Sequence, residues 1–254
     1  MNQEYQEKGY FTVKALFQEN ELQELRKIIL EFHDSWKSKN LEFYSKQAVN
    51  SAYITGTEYL DSSKRTFLFK FVGSHKLMKV VYSVIPDYPC FMNTQLFFDP
   101  VNKNQKNYWH RDPQYHLSIE EQKAALNGSE VVHLRIPLVD EPGIELIPGT
   151  HKRWDTADEL DVRLEKNGHQ NHENLSTGVK IELDAGDLLV FSANIIHRGL
   201  YGRNRLSLDI LFCDPEPNLI EFVKNDCLPT QTIMNSLEDA TAFTNTAKLK
   251  TNLI

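Results

Sequence analysis

Long apolar runs are missing from this 254-residue chain: nowhere do eighteen hydrophobic residues stand together, so no segment reads as a membrane-spanning helix. The opening stretch, "MNQEYQEKGYFTVKALF", is likewise too polar for a signal peptide. Positive charge is scarce. Lys and Arg number 28 against 35 Asp and Glu, a formal net charge of −7, which leaves no basic face broad enough to make a phosphate backbone an expected partner. Cysteine is also scarce, with Cys90, Cys213 and Cys227 widely spaced and no CxxC pair. That pattern fits free thiols, buried as small hydrophobes in a reducing compartment, better than a disulfide frame. No repeat, low-complexity tract or Pro/Gly/Ser-rich linker divides the chain. The expectation is a soluble, cytoplasmic protein with one domain over residues 1–254, binding neither nucleic acid nor membrane; no feature bears on its oligomeric state.

What is present supports a sizeable core, with 41 % hydrophobic and 25 % charged residues. In "NELQELRKIILEFHDSW", Leu22, Leu25, Ile29, Phe32 and Trp36 recur at helical spacing, with Asn20 as a candidate N-cap and Gln23 at the capping-box position. Before it, "GYFTVKALF" reads as a short strand opened by Gly9. "TFLFKFVG" (66–73) suits a strand or a buried helix, and "LMKVVYSVI" (77–85) a helix end. From residue 91 the chain turns to short β-branched or alternating segments, namely "FMNTQLFF", "YWHRDPQYH", "VVHLRIPLVD", "IELIPGT", "VKIELDAGDLLVFSANIIHRG" and "RLSLDILF". Ser118 and Glu121 form a capping box, and Asn127-Gly128 stops a short helix between two of these strands. Turn signals such as "DEPG" and "DAGD" favour a sandwich or barrel. A double-sheet jelly roll is the version that closes a small pocket between its sheets, with the polar tail after Pro215 packed outside as helices.

Chemistry concentrates in "YWHRDPQYH". Read as a strand, it projects His110 and Asp112 to one face and Arg111 to the other. A third ligand must come from elsewhere, and His197 is the best candidate because it ends an apolar strand just before a glycine turn. Two histidines and one carboxylate on one face of a metal leave open positions, the arrangement of non-haem Fe(II) oxygenases. An isolated H-x-D is more often a surface pair or a satisfied core histidine; the strand-end His197, a nearby arginine and the intervening "PGIELIPGTHKRWD" shift that balance.

The combination resembles the phytanoyl-CoA dioxygenase family of Fe(II)/2-oxoglutarate-dependent oxygenases and is similar to its ectoine hydroxylase relatives. The resemblance runs through "YQEKGYFTVKALFQENELQELRKII", "NTQLFFDP", "YWHRDPQYH", "LIPGTH", "DAGDLLVFSANIIHRG" and "RLSL". It implies a mainly β fold with flanking helices (α+β): a double-stranded β-helix, that is, a jelly-roll, cupin-like core over about residues 90–214, with N-terminal and C-terminal helices. It implies His110, Asp112 and His197 as ligands of Fe(II), with 2-oxoglutarate and O2 as co-substrates and no acid or base beyond the metal ligands. Arg205 would pair with the far carboxylate of 2-oxoglutarate, since a guanidinium fork engages a carboxylate bidentately. Ser207 would add a hydrogen bond, and Gln95 falls where relatives place a polar residue near the co-substrate. "HRGLYGRNR" is shorter than usual in the family and also contains Arg203. Arg205 is preferred because "RLSL" reproduces the arginine, spacer, small residue and aliphatic order, while Arg203 suits the turn beside Gly202.

The halogenating branch of these enzymes replaces the metal-binding carboxylate with a small residue; with Asp112 present, hydroxylation of an aliphatic C–H bond of a small molecule is expected. Two other readings stand beside it: a cupin-type metalloenzyme that does not use 2-oxoglutarate, and a non-catalytic jelly-roll binding protein. The remaining histidines read as structural or undecided. His133 and Arg135 share a strand face and suit a structural pair more than a pocket lining; His151 suits support of its turn. His116 fits a pocket mouth or a solvent-facing strand end, His169 and His172 sit in a loop, and Trp109 is packing. Residues 44–65 and 152–178, which would line the substrate mouth, carry no motif that names a substrate.

Overall fold

The computed structural model describes residues 2–252, and their burial pattern explains why a strongly alternating sequence needs two layers around it. Among the described residues nine strands form: β1 (Tyr10–Val13), β2 (Asn50–Ala52), β3 (Cys90–Phe98), β4 (Val131–Pro137), β5 (Glu141–Leu146), β6 (Val179–Leu183), β7 (Leu188–Ser192), β8 (His197–Gly199) and β9 (Leu206–Cys213). Ten α-helices accompany them. They are α1 (Gln3–Lys8), α2 (Glu19–Lys39), α3 (Leu41–Lys46), α4 (Ser62–Val72), α5 (His75–Val84), α6 (Ile119–Ala125), α7 (Ala157–Arg163), α8 (Pro217–Ile220), α9 (Gln231–Met234) and α10 (Thr241–Asn252). A six-stranded sheet in the order β1-β7-β4-β9-β3-β2 faces a three-stranded sheet in the order β6-β5-β8. All the pairings are antiparallel, and the result is the jelly-roll core expected from the sequence.

Directly opposed residues in an antiparallel ladder share a face, so the register sorts the large sheet into two surfaces. Phe11, Val190, Leu134 and Ile210 stand in one row, with Ile136, Leu208 and Leu96 in the next. These side chains pack against Leu25, Ile29 and Phe32 of α2, Phe69 of α4, Val81 of α5 and Phe243 of α10 to form the main core. On the other surface, His133 stands between Phe191 and Leu211, and Arg135 between Leu189 and Asp209. There Tyr10, Leu189 and Phe191 meet Ile144 and Leu146 of β5 and Leu183 of β6, closing one end of the space between the sheets.

Several local expectations change. Helix α2 begins at Glu19, with Gln18 as N-cap and the Glu21 carboxylate accepting from the Gln18 N–H at 2.9 Å, so Asn20 and Gln23 lie inside the first turns. Residues 66–72 are helical because Asp61 caps α4, accepting from the N–H groups of Ser63 and Lys64. The "DEPG" stretch is not a turn. Glu141, Pro142 and Gly143 lie within β5 at an irregularity where Gly143 adopts φ 81°; a Cβ there would sit 1.8 Å from the Ile181 carbonyl oxygen. "YWHRDPQYH" is not a strand either: His110 makes one isolated bridge and Asp112–Tyr115 is a 3-10 turn. Pro113 has no N–H to give a ladder, which breaks the strand at that point. Among the described residues no helix is long and apolar enough to cross a membrane.

Candidate metal centre

The bridge that replaces the expected strand brings the first two candidate ligands together. His110 and His197 exchange both backbone hydrogen bonds, N–H to carbonyl, at 2.9 Å in each direction. His197 opens β8 opposite Leu146, and Leu146 faces the space between the sheets, so His197 faces it too. Each imidazole is fixed by its own chain: Nδ1 of His110 lies 3.1 Å from the Tyr108 carbonyl and Nδ1 of His197 lies 3.0 Å from the Ile195 carbonyl. A carbonyl only accepts, so both Nδ1 atoms carry the proton and both Nε2 atoms present lone pairs to the cavity. Burial and then the neighbouring His110 push His197 down to about 3, which keeps its ring neutral.

Asp112 arrives by the turn. Its N–H donates to the Ala193 carbonyl at 3.2 Å, and its Oδ1 stands 3.5 Å from Nε2 of His110 and 3.7 Å from Nε2 of His197. One ligand atom from each of the three residues falls within 4.8 Å of the other two. Burial works against the Asp112 carboxylate, but the charge of His133 and the hydrogen bond from it outweigh that and hold the group well below the usual carboxylate range. Its side chain is 31 % exposed, so the cluster opens to solvent on the Asp112 side. Two imidazole nitrogens and one carboxylate oxygen converging without a bridging side chain fit a divalent transition metal with an open face.

The arginines separate clearly. Arg205, just before β9, is 3 % exposed, and its Nε and Nη2 have no hydrogen-bond partner among the described residues. Its nearest carboxylate oxygen is Glu141 Oε2, 3.5 Å from Nε. The guanidinium lies against the backbone of Gly199, where an added Cβ would come within 2.6 Å of Nη1. A buried guanidinium with free donors is costly unless an anion completes it. Arg203 is not brought to this place: its side chain is 57 % exposed, its backbone adopts φ 61°, and its partner is Glu182 at 3.8 Å. Ser207 lies on the cavity face of β9 and donates its hydroxyl to Glu141 Oε2. Gln95 is half-buried on the same face, opposite Asp209.

Residues beyond the expected set also meet here. His133 Nε2 is 2.7 Å from Asp112 Oδ2, and its Nδ1 is 3.2 Å from Asp209 Oδ2, which also receives Arg135 at 2.7 Å. Burial disfavours the charged ring, but Asp209 and Asp112 outweigh it and raise His133 to about 9. Arg111, between the two candidate ligands of the loop, is buried and donates to the carbonyls of Thr150, Asn194 and Arg153 and to Asp155. It ties the ligand loop to the segment that leads into His197. The other histidines lie elsewhere: His151 packs on Tyr5, His116 on Phe222, and His169 pairs with Glu173. Trp109 is buried, donates Nε1–H to the Glu173 carbonyl and carries Arg198 over its ring at 4.5 Å. Arg198 in turn donates to the His172 carbonyl and to Asn174, clamping part of the 152–178 segment. Against the 44–65 segment, a cavity of about 330 Å³ at the edge strand β2 is lined by Tyr53 and Tyr59 together with Trp36, Phe43, Lys224 and Asp226, and by none of the three converging side chains.

Residues 5–205 match the phytanoyl-CoA dioxygenase (PhyH) family. Among curated proteins, none matches the chain. Similar solved structures include EctD from S. alaskensis in its apo form, with TM-score 0.61 and 14 % identity over 84 % of this chain and 75 % of that one. The same EctD protein is known with bound Fe and with 2-oxoglutarate and 5-hydroxyectoine. AviO1 from Streptomyces viridochromogenes Tue57 is similar with TM-score 0.53 and 15 % identity over 84 % of this chain and 92 % of that one. At such identities the likeness is one of fold.

Proposed function

Because the chain belongs to the phytanoyl-CoA dioxygenase family, whose members are Fe(II)- and 2-oxoglutarate-dependent oxygenases, we propose that it hydroxylates an aliphatic C–H bond of a small-molecule metabolite. The balance is substrate C–H, 2-oxoglutarate and O2 giving substrate C–OH, succinate and CO2. His110, Asp112 and His197 are the residues that would hold Fe(II), and the observation that carries this reading is their convergence beside a buried Arg205 with unpaired donors. Bound there, Fe(II) supplies the centre at which O2 is activated and 2-oxoglutarate decarboxylated.

The chain's own residues orient and shield. The Nδ1–H bonds to Tyr108 and Ile195 fix both imidazoles before any ligand arrives. Arg205 is the group for the far carboxylate of 2-oxoglutarate, and Gly199 leaves room for its guanidinium. Ser207 holds Glu141 against Arg205, and Gln95 lies on the same cavity wall. Phe191 and Leu189 back the site with apolar surface that excludes water. No side chain is assigned as acid or base. The carboxylate at Asp112 supports hydroxylation over halogenation. We assign the whole chain, 1–254, to one oxygenase domain, supported by the packing of α10 on β3 and of α1 on β1, and three free buried thiols favour a cytoplasmic setting.

The test is anaerobic titration of Fe(II)-loaded protein with 2-oxoglutarate, following the visible metal-to-ligand charge-transfer band. The expected result is a band in wild type that fades in Arg205→Ala. Bound iron with no band would favour a metalloenzyme that does not use 2-oxoglutarate, and absence of iron binding would favour a non-catalytic binding protein.

A further inference from the structure

We propose that His133 is a positioning residue that holds Asp112 to a single metal-facing oxygen; the inference rests on the metal reading above. His133 sits on β4, which is hydrogen-bonded on both sides, to β7 and β9. Its ring stacks on Phe191 at 4.6 Å with an interplanar angle of 12°, so its plane is fixed. Nε2 lies 2.7 Å from Asp112 Oδ2 and Nδ1 lies 3.2 Å from Asp209 Oδ2. Asp209 is anchored in turn by Nε and Nη2 of Arg135, at 3.3 and 2.7 Å.

The two oxygens of Asp112 thereby take different roles. Oδ1 faces Nε2 of His110 and His197, while Oδ2 accepts from His133. A carboxylate with one oxygen engaged by an N–H donor offers only the other to a metal. Asp112 then fills one coordination position instead of two, leaving three open beside the two histidines for a bidentate 2-oxo acid and O2. His133 is itself no ligand, because both of its nitrogens are directed at carboxylates. It stands third in a line of Arg135, Asp209, His133 and Asp112 that ties the metal site to the centre of the large sheet.

Three substitutions divide the two contacts. Glutamine places an amide N–H near the position of Nε2, asparagine near that of Nδ1, and leucine supplies neither. Metal-free wild type, His133→Gln, His133→Asn and His133→Leu are titrated with Co(II), and the visible spectrum reports coordination number alongside affinity. His133→Gln is expected to stay within about threefold of wild type, whereas His133→Asn and His133→Leu weaken Co(II) by about 10–100-fold and lose band intensity as Asp112 chelates. Equal affinity and equal spectra for the Gln and Asn variants would overturn the proposal. Failure of wild type to bind Co(II), or Asp112→Ala binding as tightly, would instead overturn the metal reading itself. If His133→Asn does not fold, as judged by thermal melting of the metal-free protein, wild type labelled with 15N-histidine decides: the His133 Nε2–H resonance is expected to persist when Zn(II) is added. Its loss with a metal-bound shift would make His133 a ligand and sink the idea.

Discussion

The two faces of the large sheet are made by the same strands and both are buried, yet they carry opposite chemistry. Toward the helices, β4 and β9 present Val132, Leu134, Ile136, Leu208, Ile210 and Phe212. Toward the small sheet, the residues between them are His133, Arg135, Ser207 and Asp209, each less than 5 % exposed, with Leu211 the one apolar side chain among them. The first face gains about 25 cal/mol for every Å² of apolar surface removed from water. The second gains little, since buried charges repay their desolvation only when fully paired. Even then Arg205 Nε and Nη2, Glu141 Oε1 and Asp209 Oδ1 stay without hydrogen-bond partners among the described residues. Stability therefore lives on the outer face, and the inner face carries the buried polar groups from which the proposed site is built.

The sharpest way to break that contrast is one substitution on each side. Asp112→Ala is expected to abolish 2-oxoglutarate-dependent turnover, measured as succinate release, because one of the three converging side chains proposed to hold Fe(II) disappears. Leu134→Ala, on the helix-facing side of β4, should leave activity per folded molecule intact while lowering unfolding free energy by about 2–5 kcal/mol in a urea melt. A Leu134→Ala protein that melts like wild type but is inactive would reverse the assignment of faces.

Next in size is the pair of arginines. Arg205→Ala should weaken 2-oxoglutarate by about 2–5 kcal/mol, the cost of removing one partner of a buried charge pair, while Arg203→Ala, 57 % exposed in the parent side chain, should change it less than about twofold. The opposite order would move the role to Arg203. Gly199→Ala should be intermediate: its Cβ would meet Arg205 Nη1 at 2.6 Å, so 2-oxoglutarate binding weakens about tenfold, of the order of one disturbed charged hydrogen bond, with Co(II) affinity unchanged.

Alternation made much of this legible before any coordinates. "VVHLRIP" and "RLSLDILF" reveal strands whose every second residue is apolar, and the order of motifs pointed to the jelly roll and to His110, Asp112 and His197. Other features depend on contacts that no local spacing encodes. His133 meets Asp112 and Asp209 across 21 and 76 residues of chain, so in sequence it looks like one more core histidine. Glu141 beside Arg205 is hidden the same way, inside an irregular strand that reads as a turn. The 3-10 turn at Asp112 is hidden differently: Pro113 marks it in the sequence, but the period-2 spacing of its neighbours mimics a strand.

The smallest expected effect compares histidines across the two layers. His133 is raised by carboxylates on the inner face, whereas His33, on α2 in the outer layer, lies against Phe98 at 4.5 Å and Tyr44 at 5.6 Å, and its Nδ1 has no partner. Burial, and then the nearby Lys37, lower His33 to about 4 from an ordinary 6.5. Between those values the unfolded chain binds a proton at this position that the folded chain refuses. Unfolding free energy therefore rises with pH across the window: the stability is fully present above about pH 6.5 and is lost as pH falls toward 4. His33→Leu removes the titrating group and keeps an apolar side chain among the aromatic rings. In urea melts near pH 7 and pH 5, the loss of stability between the two should be smaller in the variant than in wild type. An equal loss would mean that His33 takes up its proton in the folded state without penalty, and the outer layer would then be less strictly apolar than its contacts indicate.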